Sequence, residues 1–194
     1  MNTLLDAVNH VLRAIREQPV SSLELSPLPD EVAMALEAIT RVSREIQAEG
    51  WWFNTVPKQT FTPDASTGEV ILPASVIRVR SLRYIGSAST VTQRGNKLFN
   101  PSENTYSFAK PVEAFEVVSE LPWDQIPYKG REYIAKRAAR EVASDVIGSM
   151  AVVQSSAYNE SEARAALDRE ELLNAVPVWM DNPDLLSLDL RTNG

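Results

Sequence analysis

The spacing of apolar residues predicts helices at both ends of the chain. Near the amino terminus, apolar residues recur at helical spacing: Leu4, Leu5, Val8, Val11, Leu12 and Ile15. This helix is expected to end before Pro19, because proline disfavours helical conformation in the residue that precedes it. A second helix is predicted from Asp30, which can cap it, to Gly50, which suits the left-handed turn after a last helical turn.

Helical spacing returns in the last third of the chain. A third helix is predicted from Lys129 to about Val153, with one apolar face formed by Ile134, Ala138, Val142, Val146 and Met150. A fourth helix is predicted from Asn159 to Asn174, because Glu162 completes a capping box with Asn159. From Ala175 onward the sequence contains two prolines and an acidic, leucine-bearing end, which predicts an extended tail that docks on another surface.

Between these helices, the pattern changes to short runs rich in β-branched residues. Predicted strands are Glu69–Leu72, Val76–Leu82, Thr90–Gln93, Lys97–Phe99 and Ala114–Val118. Arg94-Gly95-Asn96 is typical of a hairpin turn. The sequence therefore predicts an α+β fold: a four-helix bundle from the N- and C-terminal parts (1–52 and 127–175), an inserted small antiparallel β domain (53–126) and an extended C-terminal tail (176–194).

Composition narrows the classes of function. The chain has 194 residues, a formal net charge of −7 and no cysteine. It therefore has neither disulfides nor thiolate metal sites, and its acidity opposes binding to a phosphate backbone. No targeting segment and no bilayer-spanning apolar run are visible. We expect a soluble protein that stays where it is made.

The sequence offers little catalytic chemistry. His10 is the only histidine, and its place on an amphipathic helix favours a surface or boundary position. No zinc ligand set, P-loop, dinucleotide fingerprint or nucleophile elbow is present, so we predict no catalytic residue, metal or cofactor. The pairs Glu113/Glu116 and Glu170/Glu171 are either a solvated acidic surface or the acid/base pair of a glycoside hydrolase, since sequence does not give their separation.

Three groups of residues are candidate interface positions. Trp51 and Trp52 either fill the junction between bundle and β domain or anchor a subunit interface. Arg78, Arg80 and Arg83, with Arg94 and Lys97 across a hairpin, form either a solvated sheet face or a positive stripe that complements an acidic neighbour. In the tail, apolar residues either dock in a partner's groove or pack on the subunit's own bundle. They include Trp179, Met180, Leu185, Leu186 and Leu188.

Two stretches resemble a known family. Residues Ala7–Ile15, followed by Gln18-Pro19-Val20, and residues Val42–Asn54, which end in Gly50-Trp51-Trp52-Phe53-Asn54, are similar to segments of the tail tubular protein A family. Its members are the head-to-tail adaptors of short-tailed bacteriophages (podoviruses). The turn sequence Gln93–Phe99 and the helix-loop-helix from Tyr133 to Leu173 occur in the same order.

The resemblance implies a structural virion protein and not an enzyme. Adaptors of this family combine a helical bundle with a β domain and assemble as a twelve-subunit ring. The ring lies between the portal protein and the nozzle protein (tail tubular protein B), and encloses a channel through which DNA passes without sequence-specific binding. The implied location is the head–tail junction of the virion. Two alternatives stay open: another phage assembly or head-completion factor, and a capsule polysaccharide-degrading tail enzyme.

Overall fold

The computed structural model describes residues 2–87, 89–147 and 150–180, apart from the side chains of residues 81, 150–153 and 175–180. These residues form helices and antiparallel strands, which confirms the α+β class. The helices are α1 (Leu4–Ala14), α2 (Asp30–Glu49), α3 (Tyr128–Val146) and α4 (Met150–Met180), with a short 3-10 helix at Trp123–Gln125. The strands are β1 (Thr55–Val56), β2 (Gln59–Phe61), β3 (Val76–Tyr84), β4 (Thr92–Arg94), β5 (Lys97–Phe99) and β6 (Val112–Ser119).

The first compact unit is helical and consists of Met1–Ser43 and Trp123–Gly194. Helix α3 packs against both α1 and α4. Its buried face is rich in alanine, with Ala135, Ala138, Ala139 and Ala143 almost fully enclosed. Because such small side chains let helix axes approach closely, larger residues such as Ile134 and Leu167 fill the space between them. We call this part the helical unit.

The second compact unit, Arg44–Pro122, contains all the strands and the last turn of α2. Strand β6 is central: β3 pairs along one of its edges, and β1 and β2 pair with successive parts of the other edge. All pairings are antiparallel, and β4 and β5 form a separate hairpin. A core of buried apolar residues joins sheet and hairpin, including Phe61, Leu72, Leu98, Phe108 and Val117. We call this part the sheet unit.

Several predicted strands and turns are confirmed, and others are wrong. Strand β3 begins at the predicted Val76, the hairpin turns at Gly95 with φ +61, and β6 contains the predicted Ala114–Val118. The predicted strand Glu69–Leu72 is not a strand, since it makes only isolated bridges, Glu69 with Ser107 and Ile71 with Lys97. Pro73 follows it and cannot donate to a ladder. Strands β1 and β2 were not predicted, because runs of two and three residues carry almost no periodicity.

The helix boundaries in the last third of the chain also differ from the prediction. Helix α3 ends at Val146 and not near Val153, and α4 begins at Met150 and not at Asn159. The predicted start rested on a capping box of Asn159 with Glu162, but both residue types also occur at exposed positions within a helix. Helix α4 also continues beyond Asn174 and through Pro177, although proline lacks an amide donor and its ring crowds the preceding turn.

The predicted domain limits stay a prediction. The prediction placed the β domain at 53–126 and a separate tail at 176–194. In the structure, the chain passes from one compact unit to the other between residues 43 and 44 and again between residues 122 and 123. Residues 176–180 belong to α4, and the remainder of the predicted tail lies outside the described residues.

Candidate interaction surfaces

The end of α2 is fixed to the sheet by a close backbone contact. Gly50 has φ +83, a left-handed conformation that favours glycine. A Cβ atom there would lie 2.8 Å from Nη2 of Arg78 and 3.0 Å from Cγ2 of Val118. The position therefore favours glycine chiefly for its conformation, and Val118 leaves little room for a Cβ atom.

Two amide side chains complete this connection. The Asn54 side chain accepts a hydrogen bond from the Trp51 amide (2.8 Å) and donates to the carbonyls of Gln47 (2.8 Å) and Ser119 (3.0 Å). The Gln47 side chain accepts from the Leu121 amide (2.7 Å) and donates to the Leu121 carbonyl (3.2 Å). Both side chains are buried. They tie the last turn of α2 to the chain at and just after the end of β6.

The adjacent tryptophans have different environments. Trp51 is 4% exposed, and its indole N–H donates to the Ile46 carbonyl at 2.8 Å. Its ring lies parallel to that of Phe53, and Trp52 meets both rings edge-on. Burial favours a packing role for Trp51, whereas the half-buried Trp52 keeps surface for a neighbour. An interface role for either residue stays a prediction.

The basic residues of β3 do not form one stripe. Arg78 and Arg80 lie on one face of the sheet, where both approach the Glu116 carboxylate, at 3.0 and 3.6 Å. Arg78 also donates to the Glu49 carbonyl at 3.1 Å, so it caps the end of α2. Arg83 is three positions beyond Arg80 in an unbroken register, so alternation places it on the opposite face.

That opposite face carries a mixed basic and apolar surface. Lys58 and Arg83 share the Glu113 carboxylate, at 3.7 and 4.0 Å. The Phe115 ring lies beside them, 5.9 Å from the Lys58 ammonium, and is 41% exposed. Val56, which points to the same face, is 46% exposed. We call Val56, Lys58, Arg83 and Phe115 the Phe115 patch.

The remaining basic candidates, Arg94 and Lys97, make contacts of their own in the β4–β5 hairpin. The Arg94 guanidinium stacks over the Phe99 ring at 3.5 Å from its centroid. Lys97 pairs with Glu69 at 2.7 Å. Arg94 therefore does not extend the basic surface of β3, although its predicted interface role is untested.

The far end of α4 is a second exposed apolar surface. Ala163 and Leu167 are its last buried apolar residues within the described side chains, whereas Leu172 and Leu173 are 68% and 65% exposed. Trp179 and Met180 continue the helix in backbone conformation, and their side chains are outside the description. The predicted docking residues Leu185, Leu186 and Leu188 lie outside the described residues altogether.

Comparison with known proteins agrees with these structural features. A sequence model described as tail tubular protein matches residues 5–175, which include every helix and strand of the fold except the last residues of α4 and the first of α1. The chain belongs to the tail tubular protein family. Tail tubular protein A of Klebsiella phage KP34 is 26% identical to it over 170 residues, which cover 88% of this chain and 87% of that protein.

Family membership makes the chain a structural component of a bacteriophage tail. It also gives meaning to the segment Val42–Asn54, on which the resemblance was based. Within this family member, the glycine, the tryptophan and the Phe-Asn pair build the connection between α2 and β6 described above. The motif is therefore structural.

The candidate carboxylate pair does not suit glycoside hydrolysis. Glu113 and Glu116 are three positions apart in β6, so they lie on opposite faces of the sheet and bind different basic side chains. Two carboxylates must flank the same glycosidic bond for such chemistry. Glu170 and Glu171 are adjacent on α4, about 100° apart around its axis.

His10 lines an open groove of about 320 Å³ in the helical unit. Arg13, Lys136, Ser156 and Asn159 line the same groove. Burial lowers the pKa of His10, and the charges of Lys136 and Arg13 lower it further, whereas Glu132 opposes them. The neutral imidazole is thus favoured, as expected for a boundary histidine beside cations.

Within the described part of the chain, no helix is long and apolar enough to cross a membrane. Within the same residues, no three side chains of the histidine, aspartate and glutamate types come together as a group able to hold a metal ion.

Proposed function

We propose that the chain is the head-to-tail adaptor subunit of a short-tailed bacteriophage. In this role, it forms a twelve-subunit ring between the portal protein and the tail nozzle protein, and the ring encloses the DNA ejection channel. The observation that carries the proposal is the family match over residues 5–175, which spans both the helical unit and the sheet unit. The subunit is made in the host cytoplasm and ends at the head–tail junction of the virion.

The charge of the chain supports this role. At a net charge of −7 it has little attraction for a phosphate backbone. A channel wall that holds DNA weakly lets it slide during ejection. Specific DNA binding or catalysis is not part of the proposal, and the opposite orientations of Glu113 and Glu116 speak against the polysaccharide-degrading alternative.

The test is electron microscopy of the full chain mixed with the portal ring from the same genome. The expected result is a second ring stacked coaxially on the portal, and its symmetry gives the number of copies. A bare portal beside free monomers, at concentrations well above micromolar, would contradict the adaptor role and favour an assembly or head-completion factor.

A shortened chain tests the tail. We propose that residues 178–194 contribute to docking on the portal through apolar residues, among them Trp179, Met180, Leu185, Leu186 and Leu188. A chain that ends at Pro177 should unfold with the same cooperativity as the full chain but bind the portal more weakly. An unchanged affinity for the portal would show that this segment has no docking role.

A further inference from the structure

Helix α4 is longer than the helix beside which it packs. Since α3 and α4 are separated by three residues, they form an antiparallel helical hairpin. With 19 and 31 residues, they are about 28 Å and 46 Å long at 1.5 Å per residue. Pairing along α3 therefore ends near Asp168 of α4. We call residues 169–180 the α4 overhang.

Leu172 and Leu173 lie about 120–140° around the axis of α4 from the fully buried Leu167, on an outward face of the helix. They are among the most exposed large apolar side chains of the described residues. Two adjacent exposed leucines on a helix are a feature of surfaces that bind another protein. The overhang has a net charge of −1, because Glu170 and Glu171 outnumber Arg169, its single basic residue.

The Phe115 patch has the complementary properties. It offers the exposed apolar groups Val56 and Phe115 beside two cations, and those cations share a single carboxylate. One positive charge is therefore left uncompensated within this group of ion pairs. An acidic, leucine-bearing helix end matches this surface in both apolar and ionic character.

We propose that the Phe115 patch of one copy binds the α4 overhang of a neighbouring copy. This inference rests on the proposed ring and names the surfaces that build it. The contact is heterologous, because it joins two different surfaces, the patch of one copy and the overhang of the next. Such contacts generate closed rings when the rotation between copies closes. Leu172 and Leu173 contact Val56 and Phe115, while Glu170 approaches Lys58 and Arg83.

The chain has no cysteine, so disulfide crosslinking between two introduced residues has no background from the natural sequence. One full-length chain carries Phe115→Cys and a second carries Leu172→Cys. The two are mixed, assembled on the portal ring, oxidised gently and analysed by non-reducing electrophoresis with mass spectrometry. The expected product is the Phe115→Cys/Leu172→Cys pair, with no dimer when either chain is oxidised alone.

A chain that carries both substitutions should give a ladder of covalent multimers. The proposal is overturned if the mixed chains give no crosslink, or if each variant crosslinks only to itself. Oxidation is repeated on the free chains at high concentration. Crosslinking there without a stacked ring would contradict the adaptor role but support the contact, whereas a stacked ring without the crosslink would support the adaptor role and overturn the contact.

Charge reversal provides a matched control within one strand. Arg83→Glu should lower the crosslink yield about tenfold. Arg80→Glu makes the same change on the opposite face of β3 and should leave the yield unchanged. Glu170→Lys with Glu171→Lys in the overhang should restore part of the yield lost by the patch variant. Equal yields for the Arg83 and Arg80 variants would overturn the proposal.

Discussion

The helical unit and the sheet unit differ in what lies in their interiors. The buried polar side chains of the described residues are Gln47, Asn54 and Asn100, and all three belong to the sheet unit. Asn100 resembles the other two in its role, since its side-chain oxygen accepts from the amides of Ser102 and Glu103. In the helical unit, the enclosed residues of α1 and α3 are mostly alanine, valine, leucine and isoleucine.

This difference follows from where the backbone hydrogen bonds go. A helix satisfies its own amides and carbonyls except at its ends, so packing only has to supply apolar surface. The short strands and turns of the sheet unit leave more backbone groups without ladder partners. Buried amide side chains then pair with those groups, because an unpaired buried polar group is costly. Apolar packing thus dominates the stability of the helical unit, whereas polar pairing contributes more to the stability of the sheet unit.

The largest predicted effect tests packing in the helical unit. Ile134 is fully buried in α3, and Ile134→Ala should lower the free energy of unfolding by about 3–4 kcal/mol, because it removes apolar contacts and leaves a cavity. Denaturant unfolding followed by circular dichroism measures this change. Leu172→Ala, at an exposed position of the same unit, should change it by less than about 0.5 kcal/mol. Similar losses for both variants would contradict the packing argument.

The next effect tests polar pairing in the sheet unit. Asn54→Ala leaves the Trp51 amide and the carbonyls of Gln47 and Ser119 without this partner, and should cost about 2–3 kcal/mol in unfolding free energy. Asn174→Ala, which removes an exposed side-chain bond to the Glu170 carbonyl, serves as the control and should cost little. If Asn54→Ala were as mild as the control in the same denaturant titration, polar pairing would not distinguish the sheet unit.

A smaller effect separates the two arginines that share one face of β3. Arg78→Met removes the contacts to the Glu49 carbonyl and the Glu116 carboxylate, and should cost about 1 kcal/mol. Arg80→Met removes only an exposed ion pair and should cost about half as much or less. Thermal unfolding of the two variants in parallel measures the difference in stability. A larger loss of stability for Arg80→Met would show that Arg78 does not make the stronger contacts.

The smallest effect is a pH dependence in the helical unit. The pKa of His10 is lowered from 6.5 by burial and by the nearby cations, so the unfolded chain binds a proton more readily than the folded chain. The contribution of the neutral His10 side chain to folding stability is therefore complete above pH 6.5 and is lost as pH falls below that value. In denaturant titrations between pH 7.5 and 5.5, His10→Gln should weaken this dependence, whereas parallel curves for both proteins would exclude a role for His10.

Local signals in the sequence predicted part of this architecture. The bounds of α2 were predicted well because Asp30 and Gly50 are strong local signals for its two ends. The hairpin around Gly95 was predicted for the same reason. The boundary between α3 and α4 was not, because polar residues near Asn159 occur both in loops and on exposed helix surfaces.

The two interaction surfaces could not be predicted from local sequence signals alone. Side chains alternate between the two faces of a strand, so Arg80 and Arg83 lie on opposite faces only if β3 has no bulge between them. The unbroken register with β6 shows that it has none. Likewise, Lys58 lies in sequence far from Arg83 and Glu113, and only the pairing of the strands with β6 brings them together. Neither the Phe115 patch nor the α4 overhang was predicted from the sequence as such.

The α4 overhang has a consequence for how the length of this chain can change. An insertion of one residue between Leu167 and Leu172 would turn both leucines by about 100° around the helix axis and move them by about 1.5 Å. An insertion of a whole turn would restore their direction but displace them by about 5.4 Å. Insertions and deletions in this segment therefore alter the direction or the reach of Leu172 and Leu173 in discrete steps, so length variants here are expected to be tolerated only together with a compensating change in the partner surface.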